Sequence, residues 1–450
     1  MAITLTVLEG SRPEIGGCLL LEYEGKRLLL DCGYDDSQPS SQGRSPFPVP
    51  AATIHAVVLS HGHLGHCGLL PLLAREGFAG KVYGTTDTSK IAMLSMWEAA
   101  LLQEEQRQYW VAKDQPQRGA EPMYSESEVT ACRPLFAPCP FGERVPIDES
   151  VTIEFFRAGH CPGSAFIKLD FRQEDCHRKI LYIGDMGARS NDLDAEPVTN
   201  DSYDSLLLPA FRAARQNAGE VERKLAEIIN AARAAGGNVL IPASSIDRRD
   251  AILQTIQDLS VSEQIPSVFV FLDSPIASRQ CEALPLEAEG SENYLCLRPI
   301  DTVADSKSLN QIRGTAVIIA GSGRGGYGRI EFHLKRNVAR PECALILFEG
   351  RPGRSLDESL SDDRGALSVL GHEVQIKAHI YRLDDPTVHL DVNMVTEWLS
   401  HVKSVPQRAY ITHGTQEARA EFCSTLQRFG IRNVRVPVAG EQMTLMGGPT

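Results

Sequence analysis

Three histidines within six residues, His61, His63 and His66, follow directly on the apolar run Ala56–Leu59 in the stretch Ser60-His61-Gly62-His63-Leu64-Gly65-His66-Cys67-Gly68. An unbroken Ala-Val-Val-Leu run reads as a short buried strand, so the imidazoles sit on the turn that leaves it. A turn draws them into one small volume. Imidazole suits zinc, and a catalytic zinc takes about three protein ligands and keeps one position open. The chain holds 12 histidines in 450 residues, so three in one hexapeptide is a concentration that a polar surface turn does not require.

The rest of the chain frames that cluster. Ala2–Val7, Cys18–Tyr23 and Arg27–Asp31 read as strands separated by Gly-containing breaks, and residues 33–51 and 111–127 read as loops. Helices are expected at Gly68–Glu76 and Thr86–Tyr109. Strand patterns return at Val151–Phe156, Ala165–Leu169 and Ile180–Ile183. From about residue 205 strands and helices alternate, which is the rhythm of a mostly parallel α/β sheet. The last seventy residues add helix, strand, helix, strand: Val392–Val402, Arg408–Thr412, Gln416–Phe429 and Asn433–Val438. With 42% apolar and 23% charged residues the composition is that of a globular protein, and the length favours two substantial domains.

Charge and cysteine usage exclude several classes. Lys and Arg total 45 against 58 Asp and Glu, a net charge of −13, which argues against attachment to nucleic acid or anionic membrane by bulk charge, while leaving room for a local basic groove. No run of 18 apolar residues occurs and the first residues lack a signal-peptide pattern, so a soluble, cytoplasmic protein without membrane attachment is expected. The 11 cysteines are scattered without a C-x-x-C pair, which indicates neither a disulfide framework nor a thiolate zinc site. Cys32, Cys67 and Cys161 are read as small residues in tight turns.

Two further residues join the cluster. His160 lies in Gly159-His160-Cys161-Pro162-Gly163-Ser164 and Asp185 in Gly184-Asp185-Met186-Gly187. Each follows an expected strand and is flanked by glycine, which lets backbone approach closely. Together with residues 61–66 they make a set of histidines with a carboxylate able to bridge.

These motifs, with Asp31 in Leu30-Asp31-Cys32-Gly33, resemble the successive motifs of the metallo-β-lactamase fold. The remainder resembles its nucleic-acid-processing branch, the β-CASP family, which includes ribonuclease J enzymes and mRNA 3′-end endonucleases. The matching stretches are Lys81–Thr88, Val239–Pro242 with Arg248, Leu272-Asp273-Ser274-Pro275, Ser306-Lys307, Ala320-Gly321-Ser322-Gly323 with Gly328-Arg329 and His333-Leu334, Gly350–Arg354, Thr387-Val388-His389 and Ile411-Thr412-His413-Gly414. The resemblance implies a four-layer αββα metallo-β-lactamase domain from residues 1–205 and 376–450, with a mostly parallel β-CASP domain inserted at 206–375 and capping the metal cleft. It makes His61, His63 and His160 ligands of a first zinc, Asp185 a bridge, and His66 with His413 ligands of a second. Asp31 would orient a ligand histidine, and His389 would handle a proton near the leaving oxygen. One or two Zn²⁺ are implied, with Mn²⁺ as the substitute. The implied activity is hydrolysis of RNA, or single-stranded DNA, phosphodiester bonds. A homodimer or a protein partner is compatible with the family.

Two positions depart from the family. Gly65 stands where the family's histidine cluster carries an aspartate that binds the second metal. Pro209 stands where an acid after the Asp204–Leu208 strand supports the role of His389. The cations Arg324, Arg329, Lys335, Arg336, Arg351 and Arg354, with Arg248, Ser322 and His333, fall where the family contacts RNA backbone. The competing reading is a weakly active or inactive β-CASP protein that binds nucleic acid or protein within an assembly. A small-ester or lactam hydrolase fits only the first half of the chain. In Asp-Ser-Pro, Ser274 is read as a strand-end cap because no histidine partner is evident.

Overall fold

The computed structural model describes residues 2–8, 17–33, 46–119, 121–174, 176–187, 198, 201–210, 218–243, 245–285, 295–312, 314–321, 328–349, 365–384 and 392–446. The chain forms two units, one of residues 1–96, 123–214 and 388–450, the other of 97–122 and 215–387.

The first unit is built on two seven-stranded sheets among the described residues. The first runs Gln442–Met446, Ile3–Val7, Leu19–Tyr23, Lys26–Leu30, Ala56–Val58, Lys81–Thr85, Phe136–Cys139, antiparallel up to Lys26–Leu30 and parallel beyond. The second runs Asn433–Arg435, Arg408–Ile411, Ser205–Leu208, Cys176–Ile183, Ala165–Gln173, Val151–Arg157, Val145–Pro146. Alternate residues of both sheets, among them Leu5, Leu21, Leu28, Val58, Phe155, Ile167 and Tyr182, share one buried core, so the sheets face each other. The opposite faces are buried too. Leu20, Leu29 and Val57 are at most 2% exposed on the first sheet. On the second, Phe166, Leu181 and Leu206 pack with Val395, Trp398, Phe422 and Leu426.

Those last residues show why a helix covers the sheet. In Gln416–Phe429, Ala418, Phe422 and Leu426 recur every four residues and form one buried stripe. Thr415 caps the start by accepting the Ala418 N–H, and Gly430 ends the helix at φ 113°. Burying Phe422 and Leu426 is worth about 1.5–3 kcal/mol each. The result is the expected αββα metallo-β-lactamase architecture.

The second unit holds a six-stranded, wholly parallel sheet in the order Cys296–Ile300, Phe269–Asp273, Ala316–Ala320, Val239–Pro242, Ala344–Glu349, His379–Asp384. One face packs on the helices Ala218–Ala235 and Ile246–Val261, the other on Arg329–Asn337 and Val303–Leu309. Both faces are covered, as a parallel sheet requires.

Strand pairing moves the expected boundaries. Ser205–Leu208 lies parallel between Cys176–Ile183 and Arg408–Ile411, so the first unit continues to residue 214. His379–Asp384 pairs with Ala344–Glu349, so the second continues to 387. Residues 97–122 join the second unit through buried ion pairs. Glu98 takes a two-pronged bond from Arg249, with Nη2 2.6 Å from Oε2, and Glu105 accepts Nη2 and Nε of Arg329 at 2.6 and 2.9 Å. The helix Thr86–Ala112 is therefore shared, its residues up to Met96 counting with the first unit. No helix among the described residues is long and apolar enough to cross a membrane.

Candidate metal centre

The centre lies at the ends of strands of the first unit. The chain leaves Ala56–Val58 through Ser60 and His61, and His66 falls on the single-turn helix Leu64–Cys67, so the expected turn is half helical. His160 sits between Val151–Arg157 and Ala165–Gln173. Asp185 follows Cys176–Ile183, and His413 follows Arg408–Ile411. Close backbone approach requires glycine at several of these turns. A Cβ on Gly184 would stand 2.1 Å from Ser60 Oγ, and one on Gly33 would stand 1.6 Å from the Gly65 carbonyl oxygen.

Six expected residues come together here. His61, His63, His160 and Asp185 present donor atoms within 4.8 Å of one another, and so do His66, Asp185 and His413. Asp185 stands between the two sets. Its Oδ2 lies 3.6 Å from His61 Nε2 and 3.5 Å from His160 Nε2, while Oδ1 is 3.2 Å from His413 Nε2. Tetrahedral bonds of about 2.0–2.1 Å put neighbouring ligand atoms roughly 3.4 Å apart. The Asp185 separations from His61 and His160, 3.6 and 3.5 Å, are close to that spacing.

Hydrogen bonds behind the rings decide which nitrogen faces the centre. Ser60 Oγ donates to Asp31 Oδ2 at 2.7 Å and so accepts from His61 Nδ1–H at 3.0 Å, which leaves the His61 Nε2 lone pair forward. His66 Nδ1–H donates to Asp31 Oδ2 at 2.6 Å and leaves its own Nε2 forward. His413 Nδ1 lies 3.1 Å from Thr412 Oγ1. Asp31 is fully buried at φ 57°, a left-handed conformation unusual for a residue with a side chain. It also accepts the Ser60 N–H at 2.7 Å and the Tyr182 hydroxyl at 2.5 Å. Asp31 thus holds the His66 ring from behind.

The electrostatics favour a cation. Burial, then the neighbouring imidazoles His66 and His63, push the His61 pKa well below the ordinary histidine value, so the ring is neutral and able to ligate. Burial alone would raise the Asp185 carboxyl. The His413 hydrogen bond and the imidazoles of His160, His61 and His66 hold it well below the usual range instead, so it is a carboxylate. Burial and the charge on Asp31 keep the Tyr182 phenol protonated as a donor. Several imidazoles around one carboxylate in a buried pocket suit a divalent metal.

Other expectations resolve differently. Arg329 is fully buried, with Nη1 2.9 Å from Asp273 Oδ1, two bonds to Glu105 and Nη2 2.8 Å from the Asp301 carbonyl oxygen. His333 is equally buried, with Nε2 2.7 Å from Asp273 Oδ2. Both, expected where the family contacts RNA backbone, are buried here among partners of the second unit, with Asp273 holding each. Arg248 is buried as well, at 2% exposed. Lys335 and Arg336 are exposed. Ser322, Arg324, Arg351, Arg354 and His389 lie outside the described residues. Ser274 accepts the Ile276 N–H and donates to Glu98, as a strand-end cap would. Pro209 ends the strand Ser205–Leu208, and the next residue, Ala210, fixes the His413 carbonyl through a 2.7 Å bond. Sequence reasoning missed Ser60, Tyr182 and Thr412. Ser60 and Thr412 each immediately precede a ligand, a signal that was available; Tyr182 carries none.

Comparison with known proteins agrees with this architecture. The model of the metallo-β-lactamase superfamily matches residues 12–224, and that of the Beta-Casp domain matches residues 251–356. Ribonuclease TTHA0252 of Thermus thermophilus is 28% identical over 423 residues, covering 90% of this chain and 92% of that protein. An RNase J-like protein of Methanocaldococcus jannaschii is 24% identical over 97% of this chain and 99% of its own length. The transcription termination factor FttA of Cenarchaeum symbiosum is 23% identical, covering 95% of this chain and 68% of that protein. Among solved structures, a protein of unknown function from Enterococcus faecalis V583 shares the fold with a TM-score of 0.54 at 13% identity, covering 99% of this chain and 100% of that one. The chain therefore carries a metallo-β-lactamase superfamily domain and a Beta-Casp domain.

Proposed function

We propose that this protein is a zinc-dependent ribonuclease that hydrolyses RNA phosphodiester bonds. The observation that carries the reading is the convergence of His61, His63, His160 and Asp185 in a chain that carries both domains and aligns along nine-tenths of its length with a ribonuclease. Imidazole-rich sites with one carboxylate suit zinc, with manganese the next choice. When bound there, the metal lowers the pKa of a water and offsets the charge that builds at phosphorus.

The protein's own part is to hold donors in register and to handle protons. Ser60 and Asp31 fix the tautomers of His61 and His66. Asp185 presents one oxygen to each donor set. His389, with an unperturbed pKa of about 6.5, serves as proton donor to the leaving oxygen at working pH.

The second set is the poorer one. His66 and His413 share Asp185 with the first set, and Gly65 adds no donor, so the second ion binds more weakly than the first. That departure favours the second reading, a weakly active protein that binds RNA within an assembly. Retention of all five ligand histidines weighs against it. A labelled single-stranded RNA incubated with wild-type protein, with chelator-treated protein and with His63→Ala separates the two. Cleavage lost in the latter two supports the ribonuclease, whereas RNA retained intact by metal-loaded wild type favours the binding protein.

A further inference from the structure

The three histidines of the first donor set are carried by two separate loops, and both rest on Thr85–Ser95, where the strand Lys81–Thr85 passes into the helix Thr86–Ala112. Thr85 Oγ1 and Thr88 Oγ1 each donate to the carbonyl oxygen of Gly163 at 2.7 Å, and the Thr88 N–H returns to Thr85 Oγ1 at 3.1 Å. Gly163 ends the loop that carries His160. The next residue, Ser164, accepts the N–H groups of His160 and Cys161 on Oγ at 3.0 and 3.1 Å. Gly163 has φ +78°, and a Cβ there would stand 2.4 Å from Thr88 N and 2.6 Å from Thr85 Oγ1, so the loop docks through bare backbone.

Farther along the same helix, Ser95 Oγ donates to the carbonyl oxygen of Gly62 at 2.8 Å, and Cys67 Sγ lies 3.5 Å from the same oxygen. Gly62 separates His61 from His63, and a Cβ on it would stand 2.6 Å from Ala92 N. Thr85 and Thr88 are 2% and 0% exposed. The residues from Thr86 to Met96 thus hold the His61–His63 loop at one point and the His160 loop at another.

We propose that Thr85, Thr88 and Ser95 are positioning residues for the metal, the helix acting as a spacer that sets His160 at the separation from His61 and His63 at which four donors close on one ion. This rests on the reading of those four residues as a metal site. None of the three hydroxyls touches the ion. Each fixes a backbone carbonyl one to three residues from a donor histidine, so its loss lets a loop drift while the donors remain present. Partners behind the ligands typically change metal affinity by about 10–100-fold. Groups one step farther back should act at the low end.

The test is a set of full-length variants, Thr88→Val, Thr88→Ser and Ser95→Ala, with the dissociation constants for Zn²⁺ and Co²⁺ measured by competition with a chromogenic chelator. The visible spectrum of the Co²⁺ form and the unfolding midpoint of the metal-free form are recorded alongside. Valine keeps the shape of threonine and removes the hydroxyl; serine keeps the hydroxyl. The proposal expects Thr88→Val to weaken binding about tenfold with an altered Co²⁺ spectrum, Thr88→Ser to bind as wild type, and Ser95→Ala to fall between. Wild-type affinity in both Thr88→Val and Ser95→Ala overturns it. So does a loss in Thr88→Val and Thr88→Ser alike that follows the drop in metal-free stability. If Thr88→Val does not fold, Ser95→Ala alone decides. A wild type that binds neither ion fails at the metal site itself, and the proposal falls with it.

Discussion

Asp31→Asn tests how the buried carboxylate governs the centre. Asp31 Oδ2 accepts from Ser60 Oγ, His66 Nδ1 and Tyr182 OH, and Oδ1 accepts from the Ser60 N–H. Asparagine has the same shape and only one acceptor oxygen. Placed at the Oδ2 position, that oxygen keeps three donors and turns an NH₂ against the Ser60 N–H. Placed at Oδ1, it keeps one and abandons three. The first orientation is the cheaper, and one buried N–H left unserved costs roughly 1–3 kcal/mol. A unit of this size loses about 2–4 °C of unfolding midpoint per kcal/mol, so the metal-free variant should melt several degrees lower. A neutral amide also polarises His66 less than a carboxylate does, and such changes behind a ligand weaken metal binding by about 10–100-fold, or ~1.4–2.7 kcal/mol. Chelator competition on wild type and variant reads that loss, which should fall on the His66 set more than on the first. A variant that keeps both wild-type metal affinities would refute the argument that Asp31 tunes His66.

Other expectations follow from the same geometry. Burial pushes the Glu331 carboxyl up to about 7, and the residue is 9% exposed. Its folded pKa lies above the unfolded one, so the associated stability is complete below pH ~4.5 and is lost as pH rises through ~7. Glu331→Gln should therefore be roughly 1–3 kcal/mol more stable than wild type at pH 8 and nearly equal at pH 5, as thermal melts at the two pH values would show. Arg249→Met strands buried Glu98 and should cost about 3–5 kcal/mol, while the pair Arg249→Met with Glu98→Leu should recover most of it in denaturant titrations. Gly184→Ala sets a Cβ 2.1 Å from Ser60 Oγ and 3.4 Å from His61 Nδ1. It should abolish tight metal binding, and an unaffected affinity would count against the close packing behind His61.

The elements that were easy to read in the sequence are those with strong local pattern. Ala316–Ala320 and Gln416–Phe429 fall where the apolar run and the four-residue stripe put them, and the six donors were marked by glycine-flanked histidine and aspartate after strands. What escaped reading depends on distant partners. Lys81–Thr85 has a charged start and a glycine at its fourth position, and is a strand because Ala56–Val58 and Phe136–Cys139 pair on either side of it. Residues 97–112 simply continue the helix Thr86–Ala112, and partners more than a hundred residues on, Arg249, Ser274 and Arg329, tie them to the second unit. The same long-range pairing explains Arg329 and His333. Their spacing resembled a phosphate-contact motif, but Asp273, which takes both, lies in another segment of the chain. Composition carries no trace of which cation meets which carboxylate.

The central claim is a metal held by two histidine sets of unequal strength. Elemental mass spectrometry of the full chain, purified without added metal and then titrated with Zn²⁺, measures it directly. One tightly held ion per chain is expected, with a second that binds only at higher zinc and leaves first on dialysis against chelator. Two ions that bind with equal affinity would contradict the inequality of the sets, and no ion after titration would contradict the metal centre itself.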